Sequence, residues 1–363
     1  MAEQTLTHLI VKGEQKKFDS ANDAKDAWLA NSGCNSLDVL ASTERITLGG
    51  NSYGFEACEW VANTLDSSET PALQAVDFSN IFVSRLRAEL PKSLEIMATV
   101  LQKKNLVEVD LSDNAFGPDG VRAFECLLKS GSSLKIFKVT NCGLGPEGAE
   151  MIADAMSQNA DLKLTHFHAG RDRLENKGIT ALAKVFESQK SLHEICVPQN
   201  GIKDEGMTAL FQGLKACPEL QTLVVNDNWL KAGAAAELEQ ICQQDHLKTL
   251  NISDCNIGQE NVAKIVKALK EGLVNFHCNY NEVEDQDEAS DVLEHLVKLP
   301  ALKAVDFVGN VESAKFNKAA VEAFEKRGIA LKCFEEDLED VEEDEDDDCD
   351  VDKLTERLSQ LEI

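Results

Sequence analysis

The apolar positions of this chain fall into a frame that repeats. From Leu106 it reads LVEVDLSDNAFGPDGVRAFECLL, where Leu106, Val109, Leu111, Asn114 and Phe116 fit L-x-x-L-x-L-x-x-N-x-L. A short strand, an asparagine turn and an amphipathic helix after Gly117 and Gly120 follow from that order. Units of the same kind begin at Leu106, Leu134, Leu164, Leu192, Leu220, Leu247, Leu273 and Leu302, at spacings of 28, 30, 28, 28, 27, 26 and 29. Each places Asn, Cys or a near substitute at one position: Asn114, Cys142, Asp172, Asn200, Asn228, Cys255, Asn281 and Asn310. Two earlier units are less regular. One carries Ile46, Leu48, Asn51 and Tyr53; the next carries Leu73, Val76 and Phe78, but has Ile81 where the asparagine belongs.

A frame of this composition at a period near 28 is that of the longer leucine-rich repeat, in which a full α-helix returns the chain after each strand. The expected fold is an α/β leucine-rich-repeat solenoid of the ribonuclease-inhibitor type. Its strands form a parallel sheet on the concave face and its helices line the convex face, because helices are wider than the strand spacing. Residues 41–334 would hold about ten repeats. Residues 1–40 fit the frame poorly and read as an N-terminal cap, with a helix in SANDAKDAWLANSG opened by Ser20 or Asn22. Residues 335–352 contain 14 acidic residues and no basic one, the composition of a disordered tail. Residues 353–363 make a short amphipathic segment.

Composition narrows the function classes. A net charge of −28 disfavours nucleic acid as a partner. No apolar run is long enough to span a membrane, and the opening MAEQTLTHLIVKG has no secretory pattern. The eleven cysteines are then expected to be reduced, small core residues in a cytoplasmic protein. Phosphate-loop, G-x-S-x-G, H-E-x-x-H and C-x-x-C motifs are all missing. His166 and His168 alternate along one strand, but two histidines without a third ligand favour a surface or contact role over a metal site. The expected protein therefore has no covalent chemistry and no cofactor or metal of its own. Its function lies in what the solenoid presents.

Two sets of residues have no packing reason. The interval from Leu73 to Leu106 is 33 residues long, and its surplus around VSRLRAELP is expected to project from the rim with Arg85 and Arg87. The residue before each asparagine position points away from the core: Asn80, Asp113, Asn141, Arg171, Gln199, Asp227 and Asp254. Exposure alone accounts for their polarity, while Asn141 and Arg171 beside an arginine loop suit a protein-binding rim.

The segments SRLRAELPKSL, VEVDLSDNAFGPDGVRAFECLLKS, NCGLGPEGAEMIADA, AGRDRLENKGITALA and PQNGIKDEG together resemble the Ran GTPase-activating proteins, in that family's order. RDRLEN and R-L-R-x-E-L-P depart from the repeat consensus and are the specific part of the resemblance. The resemblance implies a crescent that binds Ran in its GTP form and speeds hydrolysis by ordering the GTPase's own catalytic glutamine. The asparagine of the N-x-G-x-G loop, here Asn141, would contact that glutamine. Arg85 is the finger candidate by analogy, but the family works without one, so Arg85 would support the interface and the loop beside Asn141. Asn80, Arg87, Asp113, Arg171, Asn176 and Asp227 would contribute to partner binding. The resemblance further implies a monomer acting in nucleocytoplasmic transport, perinuclear in the cytoplasm, with a Ran-binding protein as a conceivable accessory. The animal C-terminal and plant N-terminal targeting domains are not matched, which resembles the minimal fungal-type arrangement. The rival reading is an interaction scaffold or inhibitor of the ribonuclease-inhibitor kind.

Overall fold

The computed structural model describes residues 8–32, 37–67, 70–311 and 318–333. The acidic stretch 335–352 and the segment 353–363 lie outside the described residues. By contacts, the chain forms two units: residues 1–194 with 212–219, and residues 195–211 with 220–363.

In the first unit, strands of two or three residues alternate with helices. In order these are β1 (His8–Ile10), β2 (Lys17–Phe18), α1 (Ala21–Ser32), β3 (Arg45–Thr47), β4 (Ser52–Tyr53), α2 (Phe55–Ser67), β5 (Ala75–Asp77) and α3 (Leu90–Leu101). They continue with β6 (Glu108–Asp110), α4 (Gly117–Ser130), β7 (Ile136–Lys138), α5 (Gly145–Ser157), β8 (His166–His168), α6 (Glu175–Gln189) and β9 (Glu194–Cys196), whose last two residues belong to the second unit. The strands β1-β3-β5-β6-β7-β8 are parallel neighbours. Leu9, Ile46, Val76, Val109, Phe137 and Phe167 stand in register and are buried on the helix side. Their strand neighbours face the other way, as period-two geometry requires.

Between this sheet and its helices runs a row of rings. Phe116, Phe124, Phe137, Phe167 and Phe186 follow one another with centroids 5.4, 5.8, 6.4 and 5.2 Å apart. All five are fully buried, and such edge and tilted contacts add to the area they bury. Residues 8–32 continue the same pattern: β1 joins the ladder beside β3. Helix α1 is opened by Ser20, whose hydroxyl accepts from the Asp23 N–H at 3.3 Å while the Asp23 carboxylate accepts the Ser20 N–H at 2.9 Å. That reciprocal pair is a capping box.

The second unit repeats the plan. It contains α7 (Asp204–Leu214, whose last three residues cluster with the first unit), β10 (Thr222–Val224), α8 (Ala232–Cys242), β11 (Thr249–Asn251), α9 (Gln259–Ala268) and β12 (Asn275–His277). It ends with α10 (Gln286–Leu296), β13 (Ala304–Asp306), α11 (Lys318–Arg327) and β14 (Ala330–Lys332). Strands β10 to β14 pair in parallel, with Leu223, Leu250, Phe276, Val305 and Leu331 in register. The described cysteines are free, and all but Cys126 are buried. No described helix is long and apolar enough to cross a membrane.

The repeated asparagines close the turns. In Asn114, Oδ1 accepts the Ile81 N–H at 3.0 Å and Nδ2 donates to the Phe78 and Leu111 carbonyls, each at 2.8 Å. Asn228 does the same for the Asn200 and Ile202 amides and the Val197 and Val225 carbonyls. One buried amide thus satisfies backbone groups of two successive repeats that would otherwise be left unpaired.

Candidate functional site

The turns fix how the candidate side chains are presented. Asn80, Asp113, Asn141 and Arg171 in the first unit all have φ between 50° and 59°. Their amides donate outward along the unit: Asn80 to the Ser112 carbonyl, Asp113 to Thr140 and Asn141 to Gly170, at 2.8 to 2.9 Å. Left-handed backbone favours Asn, Asp and Gly, so local geometry accounts for the asparagines and aspartates of this row. Asp227 has the same conformation in the second unit, where its amide donates to the Ser253 carbonyl at 3.0 Å.

Asn141 and Asp113 are exposed and joined, Nδ2 of Asn141 donating to Oδ1 of Asp113 at 2.8 Å. The asparagine amide is thereby oriented on a rigid turn, with its own carbonyl oxygen turned away from that bond. Its loop alternates left-handed residues: Asn141, Gly143 and Gly145 have φ of 55°, 68° and 60°. The preceding repeat does so with Asp113, Ala115 and Gly117, and the following one with Arg171, Arg173 and Glu175. Three non-glycine residues in this conformation within five positions carry strain of roughly 1–3 kcal/mol each. Arg173 and Glu175 were not singled out by the repeat frame. The signal for them was the N-x-G-x-G spacing of NCGLG, which RDRLE reproduces without its glycines. Asn176 is the second residue of α6, half-buried, and its carbonyl accepts the Thr180 hydroxyl at 2.6 Å.

The arginine loop is exposed from Leu86 to Glu89, but it does not carry Arg85 outward as the sequence reading expects. Its start is drawn back onto β4: Phe82 bridges Ser52, and the Ser52 hydroxyl donates to the Val83 carbonyl at 2.6 Å. Arg85 turns inward with only 13% of its side chain exposed. It pairs with Asp19, donates from Nε to the Ser52 hydroxyl and from Nη2 to the Ser52 carbonyl, both at 2.8 Å, and reaches the Phe18 carbonyl at 3.3 Å. A guanidinium with that many fixed acceptors is an internal clamp on the N-terminal repeats. Arg87 is the exposed member of the pair. It lies over Gly117, where an added Cβ would fall 2.6 Å from its Nη2 and 3.6 Å from the Gly143 carbonyl oxygen. The arginine beside the Asn141 loop is therefore Arg87.

The open face of the first unit's sheet is charged. Asp77, Asp110, Lys138 and His168 stand in register. Burial, and then the neighbouring Asp77 charge, push the Asp110 carboxyl up to about 6 against the Ser112 hydrogen bonds that oppose it. Glu108 pairs with Arg45 and lies 3.9 Å from Lys138. His168 Nε2 meets Glu194 at 2.6 Å, and burial lowers the pKa of His166. Among the described residues no group of three metal-ligating side chains forms.

Comparison with known proteins shows what this chain is similar to. The family model described as Leucine Rich repeat matches residues 102–124, 132–153 and 244–266. The chain is 38% identical over 206 residues to Ran GTPase-activating protein 1 of Xenopus laevis, covering 53% of this chain and 34% of the relative. It is 29% identical over 322 residues to Ran GTPase-activating protein 1 of Saccharomyces cerevisiae, covering 83% of this chain and 77% of that one. The chain thus spans about a third of the frog relative's length and most of the yeast relative's. Among solved structures, the yeast Rad7 and Elc1 complex aligns with a TM-score of 0.53 at 12% identity, over 89% of this chain and 81% of that one, and shows the fold alone. With relatives named Ran GTPase-activating proteins in frog, fly, yeast and worm, on a leucine-rich-repeat α/β fold, the chain is similar to the Ran GTPase-activating proteins.

Proposed function

We propose that this protein accelerates GTP hydrolysis by the small GTPase Ran in its GTP form, and that it does so by ordering the GTPase's own catalytic groups. The observation that carries this reading is the exposed Asn141 amide, fixed by Asp113 on a left-handed turn and flanked by Arg87. A preorganised amide can hold a partner's side chain or attacking water where hydrolysis needs it. The names of the frog, fly and yeast relatives support Ran as the partner.

On this reading Asn141 is the group that touches the reacting partner. Asn80, Asp113, Arg87, Arg171, Asn176 and Asp227 serve binding, and Arg85 acts from within by holding the loop that carries Arg87. The protein is an activator without covalent chemistry of its own, active in the cytoplasm as a monomer. A single-turnover assay tests this: substoichiometric protein should clear GTP from purified Ran orders of magnitude faster than Ran alone. Tight stoichiometric binding with no acceleration would favour the scaffold or inhibitor reading instead.

A further inference from the structure

Six of the positions that close the turns hold a buried asparagine, and one holds an aspartate. Asp172 is fully buried. Its Oδ1 accepts the Cys142 N–H at 2.8 Å and the Leu144 N–H at 3.3 Å. Asn228 Oδ1 accepts the equivalent amides of Asn200 and Ile202 at 3.2 and 3.0 Å, and Asn281 Oδ1 those of Cys255 and Ile257 at 3.1 and 3.4 Å. One oxygen of Asp172 thus does the work of an asparagine carbonyl. Its other oxygen takes the place of the amide NH2, which in Asn114, Asn200, Asn228, Asn281 and Asn310 donates to backbone carbonyls. A carboxylate cannot donate; a carboxylic acid can.

We propose that Asp172 works as a neutral carboxylic acid, a proton-dependent stand-in for asparagine that clamps the Asn141–Leu144 turn and so positions Asn141. The inference rests on the reading of Asn141 given above only in its last step. The surroundings agree with it. Burial pushes this carboxyl up to about 7, the N–H groups of Cys142, Leu144 and Gly143 pull it down, and the Asp113 charge pushes it up again. The groups facing it from the neighbouring repeats are thus the Asp113 carboxylate and the Cys142 thiol, which burial itself keeps protonated. On its own loop it is flanked by Arg171, Arg173 and Glu175. Loss of the proton leaves a buried negative oxygen at the place where the other turns hold an amide donor, and the turn loosens.

The sign follows from linkage. The folded protein keeps this proton up to about pH 7, whereas the unfolded chain releases it near 4. The contribution is therefore fully present below about pH 4 and is lost as pH rises through about 7. Two measurements on the full chain test it. In the first, with no partner present, the wild type is compared with Asp172→Asn and Asp172→Ala from pH 4 to 8.5, by unfolding and by amide exchange at Cys142 and Leu144. The unfolding constant of the wild type relative to Asp172→Asn should rise by up to about tenfold per pH unit between 4 and 7. Asp172→Ala should exchange faster than Asp172→Asn at every pH. A ratio of wild type to Asp172→Asn that does not change with pH overturns the proposal.

The second measurement is the pH profile of Ran GTP hydrolysis under single turnover. The wild type should lose acceleration above about pH 7, and Asp172→Asn should lack that step. If the first measurement succeeds and neither protein accelerates hydrolysis at any pH, the acid clamp stands and the Ran reading falls. If acceleration is present and both profiles share the step, positioning through this proton is overturned.

Discussion

Asn141 donates to Asp113 across one repeat, Nδ2 to Oδ1 at 2.8 Å, with both residues in left-handed backbone. The bond orients an exposed amide without burying it. Asn141→Ala is therefore expected to reduce Ran GTP hydrolysis by about 100-fold or more, the scale of a lost positioning contact. Its structural cost is about 1 kcal/mol, that of placing alanine at φ 55°. Asp113→Ala should fall in the same direction by a smaller factor, about tenfold, because Asn141 keeps its turn and loses only its restraint. Equal single-turnover rates for wild type and Asn141→Ala would remove Asn141 from the mechanism.

Arg85 should behave in the opposite way. Its guanidinium is bound to Ser52, Phe18 and Asp19, so Arg85→Ala leaves buried acceptors unpaired and is expected to cost about 2–3 kcal/mol in urea unfolding. Any loss of activation should then diminish under conditions that restore the fold. A variant as stable as the wild type yet inactive on Ran would mean that Arg85 reaches the partner after all.

Arg87 is exposed and rests over Gly117. Arg87→Ala should change stability by no more than about 0.5 kcal/mol, as exposed substitutions do, while weakening association with Ran in a salt-dependent way. Gly117→Ala tests the same contact from below: its φ of 61° and the 2.6 Å approach to Arg87 should displace that side chain and lower stability by about 1–2 kcal/mol. Binding that is insensitive to both substitutions would place the interface elsewhere.

Asp110 has a distinct pH signature. Its carboxyl is pushed up to about 6 beside Asp77, so the folded state holds a proton that the unfolded chain gives up near pH 4. Its contribution is present below about pH 4 and lost as pH rises through about 6. Asp110→Asn should remove that part of the pH dependence and gain stability relative to wild type as pH rises to 6. Thermal melts at pH 4, 5, 6 and 7 would show it, and parallel curves for the two proteins would exclude it.

The strands and helices were legible because the frame is periodic. Val109, Phe137 and Phe167 occupy the same place in three successive units and meet in register. The asparagine positions were equally plain, down to Ile81, which fills one with a buried side chain. The arginine loop was not. An excess of length says that residues leave the frame, not which way they turn, and the direction here is set by the Ser52 hydroxyl and carbonyl about 30 residues earlier. The order of Arg85 and Arg87 was hidden for the same reason: two like charges separated by one residue look interchangeable until their acceptors are known. The role of Asp172 was half legible. Its place in the frame marked it as a near substitute for asparagine, but the protonation that makes the substitution work depends on burial.

The row of rings from Phe116 to Phe186 has a consequence for how the first unit comes apart. Solenoids can in principle fray one repeat at a time, because each touches only its neighbours. Here Phe124 of α4 leans on Phe137 of β7 in the next repeat, and Phe137 on Phe167 of β8 in the one after. Peeling away α4 strips a ring from the next repeat as well. The stretch that carries Asn141 is then expected to melt all at once, in a single sharp step, and not to unzip.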